Sequence, residues 1–325
     1  MSHGILDNAI GPDPKADEEV PLLKRREATQ PSIEALVTSL DDEDARERWE
    51  AAAALGDLTI APAGEALVSA LSDPHPFVRW QAGQALGHIV SRLRKKSSTP
   101  FLRVLRPDVE LSSLAERVAL QAHSPNVRTR AAAADALGEM GLASGLVVLR
   151  GLLSDEASDV RASAALAIGR LCSDKATGDL QRLLEDGDRW VRRAATEALG
   201  RIGGSAAERA LVAQLQNAEP MLRASAASAL GHCTTSSAAK ALIDALSDES
   251  GLVRWQAARA LGAVGRITAV PHLEQLAGDS TLAFGVAVQD VAAEAVRSIK
   301  RRHRGLWNTL RRWISSLRVD KRAQV

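Results

Sequence analysis

Glycine recurs along most of this chain at a fixed step of 31, and few folds tolerate so strict a period. Gly56, Gly87, Gly138, Gly169, Gly200, Gly231 and Gly262 mark it. Five of the six intervals equal 31; the sixth, Gly87 to Gly138, is 51, one period and a further twenty inserted positions. Leu149, Leu180, Leu211, Leu242 and Leu273 keep the same step. Such self-similarity is the signature of an array whose unit is too small to bury its own apolar face, so that neighbours must stack and share one core.

Each unit reads as two helices. The first carries leucines four apart, as in ALVAQL and ALIDAL, one stripe of a short helix. A turn follows at Ser-Asp, Glu-Asp or Asp-Pro, and then a second helix such as RWVRRAATEALGRI. Ala and Leu dominate, aromatic residues make up 3% and Tyr is absent, which suits an all-α protein. The expected fold is a right-handed α-α superhelix, a solenoid of about seven or eight two-helix units. It occupies residues 31–299, with the insertion near 88–111, a polar, Pro-containing leader at 1–30 and a basic segment at 300–325.

Charge is distributed unevenly. The chain is formally +1, yet from Arg297 to its end it holds ten Lys or Arg and one Asp, +9, which leaves −8 for everything before. An acidic body makes nucleic acid an improbable partner for the array, and Glu50, Asp57, Asp135, Glu139 and Glu197 fall on its second helices. Cys172 and Cys233 lie in no CxxC pattern and read as reduced core residues. The sequence contains no signal-peptide core and no apolar run of spanning length, so a cytoplasmic protein, peripheral at a membrane at most, is expected.

The segments VRWQAGQALG, VRASAALAIG, VRRAATEALG, LRASAASALG and VRWQAARALG share a V-R-x-x-A-x-x-A-L-G core. In this the sequence resembles the HEAT repeats, and within them the HEAT-like repeats named after phycobilisome lyases, from about Ser32 to Ile299. Glu47 and Thr129 replace the valine in two units, and DVAAEAVRSI, without the glycine, reads as a terminal cap. One turn column, Asp42, Asp73, Asp155, Asp186, Asn217, Asp248 and Asp279, is followed six residues later in its first six members by Arg48, Arg79, Arg161, Arg192, Arg223 and Arg254. It resembles the Asp and Arg ladder of HEAT arrays, in which the acid caps amides and pairs with arginines of adjacent units; a pair repeated in every unit is architecture.

On a 100° wheel the columns nine, five, two and one before the glycine, and two after it, converge on one face of the second helix. The position seven before the glycine lies opposite that face. It holds Trp49, Trp80 and Trp255, and Trp190 falls about 60° away on the same exposed side. Their neighbours there include Arg46, Phe77, Gln81, Arg189, Arg193, Met221, Gln256 and Arg259. In the resembling family this layer lines the concave surface, and Trp and Arg are the residue types that anchor protein interfaces. The expectation is therefore a concave groove for a protein segment or a flat aromatic ligand, with all these indoles standing in solvent.

Two further surfaces attract notice. The insertion carries the basic cluster Arg92, Arg94, Lys95 and Lys96, which lengthens a helix or edges a loop. In the C-terminal segment Leu306, Trp307, Leu310, Trp313, Ile314 and Leu317 recur at three and four, flanked by Arg301, Arg302, Arg304, Arg311, Arg312 and Arg318. Such a basic amphipathic helix can cap the array, meet an anionic membrane or grip an acidic partner.

Chemistry has no evident carrier. The family includes an iron hydroxylase that holds its metal through His-Glu pairs, and this chain has no His-Glu dipeptide among its seven histidines. No Walker loop, GxGxxG after a strand or GxSxG is present. The sequence thus predicts a non-catalytic scaffold with no catalytic, metal or cofactor residues. The resemblance to lyase subunits implies, as an alternative, a protein that binds an open-chain tetrapyrrole and hands it to a client; membrane or nucleic-acid association through the basic tail is a further one.

Overall fold

The computed structural model describes residues 32–58, 61–97 and 107–303. Over these, helices follow one another in hairpins: α1 (Ile33–Ser39) with α2 (Ala45–Gly56), α3 (Ala61–Ala70) with α4 (Pro76–Ser97), and α5 (Pro107–Gln121) with α6 (Val127–Met140). The series continues with α7 (Gly145–Leu152) and α8 (Ser158–Leu171), α9 (Thr177–Leu183) and α10 (Arg189–Ile202), and α11 (Gly204–Gln214) and α12 (Pro220–Leu230). It ends with α13 (Ser236–Asp244) and α14 (Gly251–Val264), then α15 (Val270–Glu274) and a helix α16 over 288–303. Residues from 304 onward, like the leader, lie outside the described residues.

The expected wheel holds. Val78, Val160, Val191 and Val253, the alanines five before each glycine and the Leu or Ile one before it are all buried, most of them in one continuous core. Thr129, in the valine column, is buried too and touches Ser72 Oγ at 3.4 Å, while Glu47 is exposed in the first described unit.

The glycine column has a steric purpose. A methyl group at Gly56 would stand 2.7 Å from the Cβ of Ala85, and one at Gly200 2.7 Å from that of Ala229. Each second helix thus lies backbone to backbone on the next, and α2, α4, α6, α8, α10, α12 and α14 pack on one another far more extensively than the first helices do. Close spacing on one side and wide spacing on the other bend the stack, with the second helices on its inner, concave side.

The turns are fastened by the ladder. Arg48, Arg130, Arg161, Arg223 and Arg254 each pair with the acid of the next unit's turn, Asp73, Asp155, Asp186, Asp248 and Asp279, at 2.7 to 2.8 Å. Nη1 of each arginine also bonds the carbonyls six and five residues earlier, as Arg161 does to Asp155 at 2.9 Å and Glu156 at 3.0 Å. The acid in turn accepts the N–H two residues on, as Asp186 does from Asp188 at 2.9 Å. Where Asn217 breaks the acid column, Arg192 turns to Glu219.

The insertion makes α4 a 22-residue helix against 14 for α6, α8, α10 and α14. Two of its basic residues are used internally: Arg92 pairs with Asp57 at 2.6 Å, and Arg94 bonds the Gly141 carbonyl at 3.0 Å.

The all-α expectation stands, with one small addition in the last unit. A two-residue hairpin, β1 (Leu282–Ala283) against β2 (Val286–Ala287), interrupts the last unit, turning on Phe284 and Gly285, both at positive φ. Cys172 is not in the core: it caps α8 in the left-handed conformation, φ 49°, and is exposed, because helix termination there leaves its side chain at the surface. Of the two cysteines, Cys233 alone is buried.

Candidate functional site

Trp80, Trp49 and Trp190 stand where the wheel places them, on the concave layer and 57%, 38% and 54% exposed. Phe77 and Met221 are exposed beside them, as are Arg46, Arg189, Arg193 and Arg259, while Gln81 and Gln256 are half-buried. The local cause is the turn geometry: Asp188 accepts the N–H of Trp190 at 2.7 Å and fixes the first residues of α10. The guanidinium carbons of Arg189 and Arg193 lie 5.0 and 5.7 Å from the Trp190 ring centre, so two cations lie within cation–π reach of the indole.

Trp255 departs from the expectation that it stands in solvent. Phe284 of the hairpin meets it edge-on with ring centres 5.3 Å apart, Arg259 lies 5.7 Å from its ring, and its Nε1 is buried without a hydrogen-bond partner. The ring is half-buried because the hairpin folds back on α14. The signal was present in Leu-Ala-Phe-Gly-Val-Ala, a Gly-containing turn between apolar residues. The hairpin moves the exposed apolar surface outward to Leu282 and Phe284, 70% and 71% exposed.

Two clefts run between the inner helices. One, of about 740 Å³, is lined by Arg170 of α8, Arg193, Glu197 and Arg201 of α10 and Gln256 of α14, with Cys172 and His232 from just beyond the ends of α8 and α12. The other, of about 270 Å³, lies among α4, α6 and α8 and is lined by Arg79, Trp80, Gln84, Arg128, Asp135, Glu139 and Arg170. Arg170 bridges the two, paired with Glu139 at 3.1 Å and Asp135 at 3.6 Å. Burial in this wall pushes the Asp135 carboxyl above the usual carboxylate range, against the pull of Arg170 and Ser163.

Of the C-terminal basic residues, Arg302 bonds the Ala263 carbonyl at 2.6 Å, and His303 Nε2 lies 2.8 Å from the carbonyl of Gly265, both at the end of α14. Arg301 reaches Glu294 at 3.5 Å. Arg304, Trp307, Arg311, Arg312 and Trp313 lie outside the described residues. Among the described residues no three His, Cys, Asp or Glu come together as a metal site, and no helix is long and apolar enough to cross a membrane.

A family model described as HEAT repeats matches residues 33–116, 114–200, 147–217 and 208–297. No curated protein matches the chain. Among solved structures it is similar to YibA of Escherichia coli, 19% identical over 90% of this chain and all of that one, with a TM-score of 0.52. It is similar also to yeast importin-β, Kap95p, 12% identical over 88% of this chain and 44% of that one, with a TM-score of 0.61. The complex of CpcE and CpcF of phycocyanin lyase from Nostoc, 18% identical over 92% of this chain and all of that one, superposes with a TM-score of 0.43, too low to bear on function. These likenesses concern the fold alone.

Proposed function

The chain belongs to the HEAT repeat family, and from that premise we propose that its concave face holds a segment of a protein partner and performs no chemistry of its own. One observation carries the reading: the second-helix layer keeps Trp49, Trp80, Trp190, Phe77 and Met221 uncovered in a chain with only six tryptophans and three phenylalanines. An indole half in water forgoes on the order of 1 kcal/mol of burial. Repeating this on one face suits rings that become buried when a partner arrives, with Arg189 and Arg193 pre-ordering Trp190. The clefts beside these rings are lined by both charges, which suits a polypeptide with mixed side chains better than a uniformly charged polymer.

The test uses Trp80→Ala with Trp190→Ala in the full chain. Partner capture from the native source should be lost, while the thermal midpoint stays where it was, since exposed substitutions cost within about 0.5 kcal/mol. Trp255→Ala is the contrast, because its ring packs on Phe284 and should lower stability. A collapse of the fold in the double variant would sink the reading.

A further inference from the structure

Six of the seven ladder arginines have a carboxylate at the guanidinium: Arg48, Arg130, Arg161, Arg223 and Arg254 that of the next turn's Asp, and Arg192 that of Glu219. Arg79 has none among the described residues. Its Nη1 bonds the carbonyls of Asp73 at 2.6 Å and Pro74 at 2.9 Å, as its siblings do, but no bond to Nε or Nη2 exists among the described residues. The cause is Ser124, which holds the acid's place in the following turn. Its hydroxyl accepts the N–H of Asn126 at 3.2 Å in the manner of a ladder acid, and brings no charge.

Among the described residues the surroundings do not supply the missing anion. Burial, with Arg128 nearby, holds the Arg79 guanidinium below its ordinary range, whereas Arg48, Arg130, Arg161 and Arg223 are raised by their carboxylates. Asp73 acts weakly in the other direction and is itself taken by Arg48. Of the acids lining the same cleft of about 270 Å³, Asp135 and Glu139 are engaged by Arg170, and Asp159 is exposed at the start of α8. Residues 98–106, between α4 and α5, include no acid.

We propose that this cleft is an anion site for a carboxylate carried by the bound partner, an Asp or Glu side chain or a chain terminus, seated on the free edge of Arg79 with Arg128 beside it and Trp80 as a wall. This rests on the groove reading above. The planar guanidinium edge matches a carboxylate bidentately, and that is the group the array itself builds at the sibling junctions.

The full chain, labelled with ¹⁵N at arginine, is titrated with the blocked peptide acetyl-Ala-Glu-Ala-amide, its Gln counterpart and inorganic phosphate. The expected result is a saturable shift of the Arg79 Nε–H resonance with the Glu peptide and none with the Gln peptide. Ser124→Asp returns the missing acid from within. It should keep or raise the melting temperature and weaken the Glu peptide by about tenfold or more, the scale of one charge-assisted pair. An equal response to the Gln peptide, a response to phosphate alone, or undiminished binding by Ser124→Asp would overturn the proposal. A response of Arg79 to the Glu peptide supports the site even where partner capture ignores Trp80 and Trp190, so the two readings fail separately.

Discussion

Asp186 shows how much one turn residue does. It receives Arg161 through two bonds of 2.8 Å, accepts the N–H of Asp188 and is almost buried. Replacing it with alanine leaves a guanidinium unpaired and an amide unbonded, and should cost about 3 kcal/mol in denaturant unfolding. Asp186→Asn should cost less, because an amide oxygen still satisfies the turn, as Asn217 does for Glu219 at 2.9 Å. The spacing of six between turn acid and arginine was legible in the sequence; Arg130 was not, because a rule keyed on acids passes over a turn that begins with Ser124. Its role and the unmatched edge of Arg79 emerge only when Asp155 is seen beside one and no carboxylate beside the other. Trp80 and Trp190 were legible as exposed because a helix wheel is local. Trp255 was not, because Phe284, which covers it, belongs to a hairpin beyond α15.

At the scale of the helix, propensity and packing oppose each other at the glycines. In an isolated helix Gly→Ala gains about 1 kcal/mol. At Gly200 the added methyl meets the Cβ of Ala229 at 2.7 Å and its Cα at 3.0 Å, backbone that cannot yield without separating α10 from α12. Gly200→Ala should therefore destabilise by about 1–3 kcal/mol. Gly151→Ala, with nothing near on the exposed side of α7, should do the reverse, and thermal melts of the two variants would show the opposite signs. The column was visible as a period, but its cause was not, since close approach is a relation between helices.

Across the whole molecule the ladder makes stability depend on acid. Arg254 holds the Asp279 carboxyl down to about 2, against the opposing effect of burial. Asp155 and Asp186 are lowered by Arg130 and Arg161, and at Asp248 Arg223 and the Ser250 amide outweigh burial. A carboxyl depressed in the folded state stabilises above its unfolded pKa of about 3.9 and loses that contribution as pH falls through its folded value. The melting temperature should accordingly be insensitive to these groups above about pH 4 and fall steeply between pH 4 and about 2, as junctions release together. A flat profile over that range would remove the ladder from the account of stability. By itself the sequence determined the repeating unit, its two helices, the buried face and the outward placement of three of the four described indoles, because each follows from the helical turn within one segment. Only the tertiary structure decided which side of the stack is concave, that a hairpin shields Trp255, that Cys172 leaves the core and that Arg79 is the ladder arginine without a carboxylate among the described residues. Those depend on which parts of distant units come to lie against each other, and no local period encodes that.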